Sequence, residues 1–199
     1  MYMKTFTQKS FNIDELKGIS TKNIEEHLKL YAGYVNQTNL VLEKINELSE
    51  NAETNMGILS GLQRRFSFEY NGMRNHEIYF ESLSGKANTL EGGSKLREAI
   101  TAEWGSFEKW LALFKAIATT RGVGWAILYF DKKENRLLNA WVDEQHLGQL
   151  QDCTPIIALD MWEHAYLFDY IPADKKKYIE AFFENINWEV IEENFKKAQ

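Results

Sequence analysis

Cysteine is nearly absent: Cys153 is the only one in 199 residues. An internal disulfide is therefore excluded, and so is a cluster of thiolate metal ligands. Positive charge is also scarce. Lys and Arg number 23 against 29 Asp and Glu, a formal net charge of −6. That balance argues against a general nucleic-acid surface or docking on an anionic membrane. No run of about 18 apolar residues occurs, so no membrane-spanning helix is expected. The opening segment, MYMKTFTQKSFNIDELKG, lacks the apolar core of a signal peptide. There is no internal repeat and no low-complexity tract. A cytoplasmic enzyme or binding protein fits these absences.

What is present is an aromatic-rich globular chain: 12 Phe, 9 Tyr and 6 Trp, with 44% hydrophobic and 26% charged residues. The segment STKNIEEHLKLYAGYVNQTNLVLEKINEL places apolar or aromatic side chains at helical spacing, through Ile24, Leu28, Tyr31, Val35 and Ile45. Ser20 or Thr21 would cap that helix. Residues 51–56 are polar and read as a loop. A second long helix is expected over 57–82, with Gly61 and Gly72 inside it. Two long helices joined by a short connection make an antiparallel helical hairpin, assigned to residues 1–84. SGKANTLEGGS, 84–94, then reads as linker, with the domain boundary set at 85–94.

The remainder, 95–199, reads as an α+β domain. Helices fit 93–102 and 106–120. GVGWAILYFDKKENRLLNAWV reads as two strands around a polar turn at 131–135, and PIIALD as a third, giving a small antiparallel sheet. LDMWEHAYLFDY, 159–170, reads as a buried helix, and two more helices fill 174–196. That buried stretch poses a problem, because Asp160, Glu163 and His164 sit among its aromatics. A carboxylate buried without a partner costs several kcal/mol.

On a helix, Asp160 and His164 share a face, and imidazole with carboxylate suits a first-row transition metal. Taken alone, the pair is weak evidence for a metal, and a surface salt bridge or a satisfied core polar pair is the more ordinary reading. His27, within the apolar stripe of the first helix, and His76, among aromatics on the second, are each readable as core histidines. Together the four residues place three imidazoles and one carboxylate across a domain interface, a common location for sites.

These stretches also resemble one family. DMWEHAYLFDY is similar to the D-x-W-E-H-A-Y signature of iron/manganese superoxide dismutases. IEEHLKLYAGYVNQTN, RNHEIYFESLSG, GVGWAILYF and INWEVIEENF resemble further segments of that family, in its order and over nearly the whole chain. The resemblance implies one manganese or iron ion per subunit, manganese favoured, held by His27, His76, Asp160 and His164. It implies superoxide as substrate and a homodimer, with no nucleic-acid or membrane partner. It places Tyr34 as gateway, Trp125 and Trp162 as pocket walls, and Gln145 as the glutamine that tunes metal-bound solvent. Glu163 and Tyr166 would lie at the dimer interface, Glu163 reaching the ligand histidine of the other subunit. The iron type supplies its glutamine four residues before the second-helix ligand, and that position here is Gly72.

The chain departs from the family pattern in places. His27 and Tyr34 are seven apart instead of eight. Eight positions turn a regular helix by about 80° from alignment and seven by only about 20°, so both side chains can share a face of an unbulged helix. The histidine usual between them is missing, Leu30 or Tyr31 taking its place, and this removes the usual bond to the Tyr166 counterpart. The segment from Asn71 to His76 is shortened, and Phe80 replaces a pocket tryptophan. His146 has no role in the family and reads as a surface residue. Lys29 and Arg74 are candidate anion attractors. Two rival readings keep the same residues: a structural or interaction protein on this fold, and another three-histidine, one-aspartate metalloprotein without dismutase activity.

Overall fold

The computed structural model describes residues 4–199. Helix α1 spans Thr21–Ser49 and α2 spans Ala52–Ser82. Ser20 is the N-cap of α1: its hydroxyl accepts the Asn23 amide hydrogen at 3.1 Å, a contact worth about 1 kcal/mol. Helix α1 has no bulge between His27 and Tyr34.

The expected loop at 51–56 is largely helix, since α2 begins at Ala52. Those residues are polar because they are mostly solvent-exposed. The Asn55 side-chain amide reaches back to the Leu48 carbonyl at 3.0 Å and satisfies the frayed end of α1. Gly61 and Gly72 do not interrupt α2.

Helices α3 (Lys95–Trp104) and α4 (Phe107–Ala118) precede the sheet. Strands β1 (Gly124–Asp131), β2 (Arg136–Asp143) and β3 (Cys153–Asp160) form an antiparallel sheet in the order β2-β1-β3. At the β1–β2 turn the Asp131 carboxylate accepts the Lys133 and Glu134 amides at 2.9 and 3.2 Å. Asn135 completes the turn at φ +50°, a conformation Asn tolerates better than most residues. Helices α5 (Lys175–Asn185) and α6 (Trp188–Ala198) close the chain. The fold is thus α+β, a long helical hairpin followed by helices and a three-stranded antiparallel sheet.

The expected helix at 159–170 does not form. Leu159 and Asp160 finish β3, where Asp160 lies opposite Trp125. Trp162 is extended, with φ −67° and ψ 148°, and only Glu163–Ala165 makes a single 3-10 turn. The Asp160 side chain causes the break: its Oδ1 accepts the Trp162 amide hydrogen at 2.8 Å, a local bond that competes with helix formation. A run of buried aromatics has no period that separates strand from helix.

Helix α2 packs on β3, α4 on β1 and β2, and α6 on β3. One cluster of buried apolar side chains continues from Tyr31 and Phe80 through β1 to Phe182 and Ile191. The interior where hairpin meets sheet is thus largely apolar, and polar groups inside it need partners. Among the described residues no helix is long and apolar enough to cross a membrane.

Candidate metal centre

His27 comes from α1, His76 from α2, Asp160 from the end of β3 and His164 from the 3-10 turn. One ligand atom from each lies within 4.8 Å of all the others. Three imidazole Nε2 atoms converge on one oxygen. Asp160 Oδ2 lies 3.1 Å from His27, 3.2 Å from His164 and 3.5 Å from His76. His27, His76 and Asp160 side chains are fully buried, and His164 is 21% exposed. Asp160 and His164 therefore meet as the sequence suggests, but across a strand end and a tight turn instead of one helix face.

The donor set fits a cation. His76 Nδ1 donates to the Gly72 carbonyl at 2.6 Å, which leaves Nε2 as the acceptor facing the cluster. That Nε2 is buried and has no hydrogen-bond partner among the described residues. Burial, and then the neighbouring His27, press His76 down to about 3. Burial likewise lowers His27, despite Asp160 beside it. Burial alone would raise Asp160, but His164 and His27 more than reverse it and hold the carboxyl well below the usual range. Near neutral pH the cluster therefore holds an ionised carboxylate against neutral His27 and His76. A buried negative charge with lone pairs aimed at a common point is satisfied by a metal ion.

A hydrogen-bonded chain borders these donors. Trp125 Nε1 donates to Gln145 Oε1 at 2.9 Å, and Gln145 Nε2 donates to the Tyr34 hydroxyl at 2.9 Å. Gln145 is fully buried. The Tyr34 ring lies 4.9 Å from His76. Burial first, then Asp160 and Glu69, push the Tyr34 hydroxyl pKa up, with Arg65 pulling the other way. Trp125 stands edge-on to His76 at 5.0 Å, and Trp162 stacks on His164 at 5.7 Å.

Comparison with known proteins decides the family. The alpha-hairpin domain of iron/manganese superoxide dismutases matches residues 5–84, and the C-terminal domain of the same family matches 92–194. The chain belongs to the iron/manganese superoxide dismutase family. A relative from Cupriavidus metallidurans, named superoxide dismutase [Fe], is 38% identical over 178 residues, covering 88% of this chain and 87% of the relative. Superoxide dismutase [Mn] 1 of Halobacterium salinarum is 36% identical, covering 84% and 82%. Superoxide dismutase [Mn/Fe] of Aeropyrum pernix is 34% identical, covering 86% and 80%.

The departures from the superoxide dismutase pattern now have positions. Phe80 is fully buried and its ring lies 4.9 Å from His27, so it packs against a donor. Of the residues replacing the usual histidine, Leu30 is 42% exposed and Tyr31 is buried. The Tyr31 hydroxyl accepts the Lys9 amide hydrogen at 3.0 Å and donates to Glu77 at 3.2 Å, so it serves the N-terminal segment. Tyr166 is buried and its ring lies 5.5 Å from Tyr178. Glu163 is exposed beside His164.

His146 is only partly at the surface. It is half-buried, its ring 5.7 Å from Phe68 and its Nδ1 enclosed. Lys29 pairs with Glu26 on the outer face of α1. Arg74 pairs with Glu77 and stacks over Phe6 and Tyr70, where it holds the N-terminal segment. Neither side chain stacks on a ring that packs against Tyr34.

Two further residues escape sequence reasoning. Phe68 is half-buried and stands 6.1 Å from Tyr34 and 6.3 Å from Trp162. Its placement two helical turns before His76 is the only signal. Asn75 is buried and donates to the Gln145 carbonyl at 3.1 Å. A polar residue adjoining a candidate ligand histidine inside an apolar helix face is the hint there.

Proposed function

We propose that this protein is a superoxide dismutase: two superoxide ions and two protons become dioxygen and hydrogen peroxide. The observation that carries this is the Trp125–Gln145–Tyr34 chain beside the four-donor cluster. His27, His76, Asp160 and His164 would hold one manganese or iron ion, which supplies the one-electron oxidation and reduction. Asp160 brings negative charge against the cation, and the Gly72 carbonyl fixes which nitrogen of His76 faces it. Tyr34, its pKa raised, keeps its proton at neutral pH and holds it at the pocket. Gln145 donates to the Tyr34 oxygen, so the hydroxyl hydrogen is free for another acceptor.

Manganese is the metal proposed. Relatives carry both metals in their names, so the argument rests on Gln145 and Gly72. A Cβ at position 72 would lie 2.5 Å from Tyr34 Cδ1, which leaves no room for a glutamine there while Tyr34 keeps its place. Apoprotein reconstituted separately with manganese and iron should consume superoxide faster in the manganese form, yielding equal amounts of dioxygen and peroxide. Much higher activity with iron overturns the metal assignment. Inactivity in both forms overturns the dismutase reading.

A homodimer with Glu163 at its interface is part of the same proposal, in a cytoplasmic protein whose Cys153 is unpaired. Support comes from the exposed apolar run after Glu163: Leu167 is 46%, Phe168 52% and Ile171 64% exposed. Burying such side chains is worth about 1.5–3 kcal/mol each. Glu163→Ala should raise the dimer dissociation constant and lower retained metal together, read by sedimentation equilibrium and metal analysis. A fully active monomeric wild type contradicts this.

A further inference from the structure

Four half-buried rings stand in one group beside the donor cluster: Tyr34, Phe68, His146 and Trp162. One cation is stacked on that group. The Arg65 guanidinium lies 4.4 Å from the Phe68 ring centroid, a geometry in which a planar cation loses little of its hydration and gains attraction to the ring face. Beneath it, Glu69 is the partner: Arg65 Nε donates to Glu69 Oε1 at 2.6 Å. The Arg65 side chain is 56% exposed and that of Glu69 only 3%. The pair is therefore a dipole with its positive end toward water.

We infer that Arg65, stacked on Phe68 and underpinned by Glu69, is the cationic lip that draws a small anion to the Tyr34 pocket. The inference rests on the dismutase reading for its substrate, superoxide. It gives the site something Lys29 and Arg74 do not, a guanidinium on a ring that itself touches Tyr34. On a chain of net charge −6, a local positive lip matters, because the wider field repels anions. Glu69 positions the lip. Burial raises its carboxyl pKa and Arg65 draws it back, so the two charges depend on each other.

The test loads wild type and variants with the same metal, confirms equal metal content, and titrates azide by its absorption change. Titrations run at about 10 mM and about 200 mM ionic strength, where the screening length falls from roughly 30 Å to below 10 Å. Arg65→Ala should weaken azide binding about two- to fivefold at low salt, as one charge acting across wet surface would. Arg65→Glu should weaken it further, and Arg65→Lys should stay near wild type. All differences should shrink at high salt, and second-order rates of superoxide consumption should follow the same order. Unchanged azide affinity in Arg65→Glu overturns the proposal. A loss of equal size at both salt concentrations also overturns it, because packing of Phe68 would then be the whole role. If loaded wild type consumes no superoxide while azide keeps the predicted order, the dismutase reading falls and the anion lip stands.

Discussion

Asp160→Ala should leave the protein folded, nearly free of metal, and inactive as a dismutase. Asp160 is the one carboxylate in the donor cluster, and its Oδ2 is the point on which three imidazoles close at 3.1, 3.2 and 3.5 Å. Removing a partner one shell out from a metal typically costs about 10–100-fold in affinity, so losing this ligand should cost more than about 100-fold. Without the carboxylate, no negative charge in the cluster opposes the cation. The variant also removes a buried ion from an apolar interior, so the metal-free fold need not suffer. The Oδ1 bond to the Trp162 amide is lost as well, and that bond places His164.

Asp160→Asn separates the two effects, since it keeps the shape and the Oδ1 acceptor but discards the charge. The checks are metal content per subunit, superoxide consumption and thermal melting with and without added metal. Wild type should melt higher with metal, because a ligand bound only to the native state stabilises it. Both variants should show almost no such shift. Full metal occupancy in Asp160→Asn, or in His27→Ala, would falsify the ligand assignment.

Parts of this architecture are legible in the sequence because local chemistry and tertiary need agree there. Ser20 caps α1 as its type and place suggest, and the polar stretch after Asp131 turns the β-hairpin where strand character lapses. His27 and Tyr34, seven apart on an unbulged helix, reach one pocket from one face. The stretch 159–170 resists such reading. Its aromatics are buried by strand pairing and by the turn that follows, and hydrophobicity alone assigns no period to them. The pairing of Asp160 with His164 survives that error because a strand end followed by a tight turn brings residues four apart together, as a helix does. Residues 51–56 mislead in the opposite sense, since a polar composition at the hairpin tip reflects exposure and not irregular backbone. Phe68 and Asn75 leave only a faint positional signal in the sequence, because their roles depend on what Tyr34 and the Gln145 turn bring to α2.

Gly72→Ala should lower activity by about tenfold or more while leaving metal content near one ion per subunit, a displaced group losing part of the roughly 100-fold or greater contribution a positioned proton-handling group makes. In an exposed helix, replacing Gly by Ala stabilises by about 1 kcal/mol. Gly61→Ala is the control for that effect, because an added Cβ there meets nothing within 4 Å. At Gly72 the added carbon would lie 2.5, 2.6 and 3.1 Å from three atoms of the Tyr34 ring. The helix cannot easily give way, since the Gly72 carbonyl accepts from His76 Nδ1 at 2.6 Å, and moving it would turn a member of the four-donor group. The Tyr34 ring must shift instead, away from the Gln145 amide that now donates to it at 2.9 Å. Overpacking of this kind costs about 1–3 kcal/mol, which cancels or exceeds the helix gain. Gly61→Ala should therefore melt higher than wild type and keep its rate, whereas Gly72→Ala should melt no higher and lose rate. Tyr34→Phe provides the reference, because a ring that keeps its place but lacks the hydroxyl should lose activity without the packing penalty. Should Gly72→Ala match wild type in both melting temperature and rate, the close fit of Tyr34 over Gly72 would have no functional weight, and the steric argument against a glutamine at that position would fail with it.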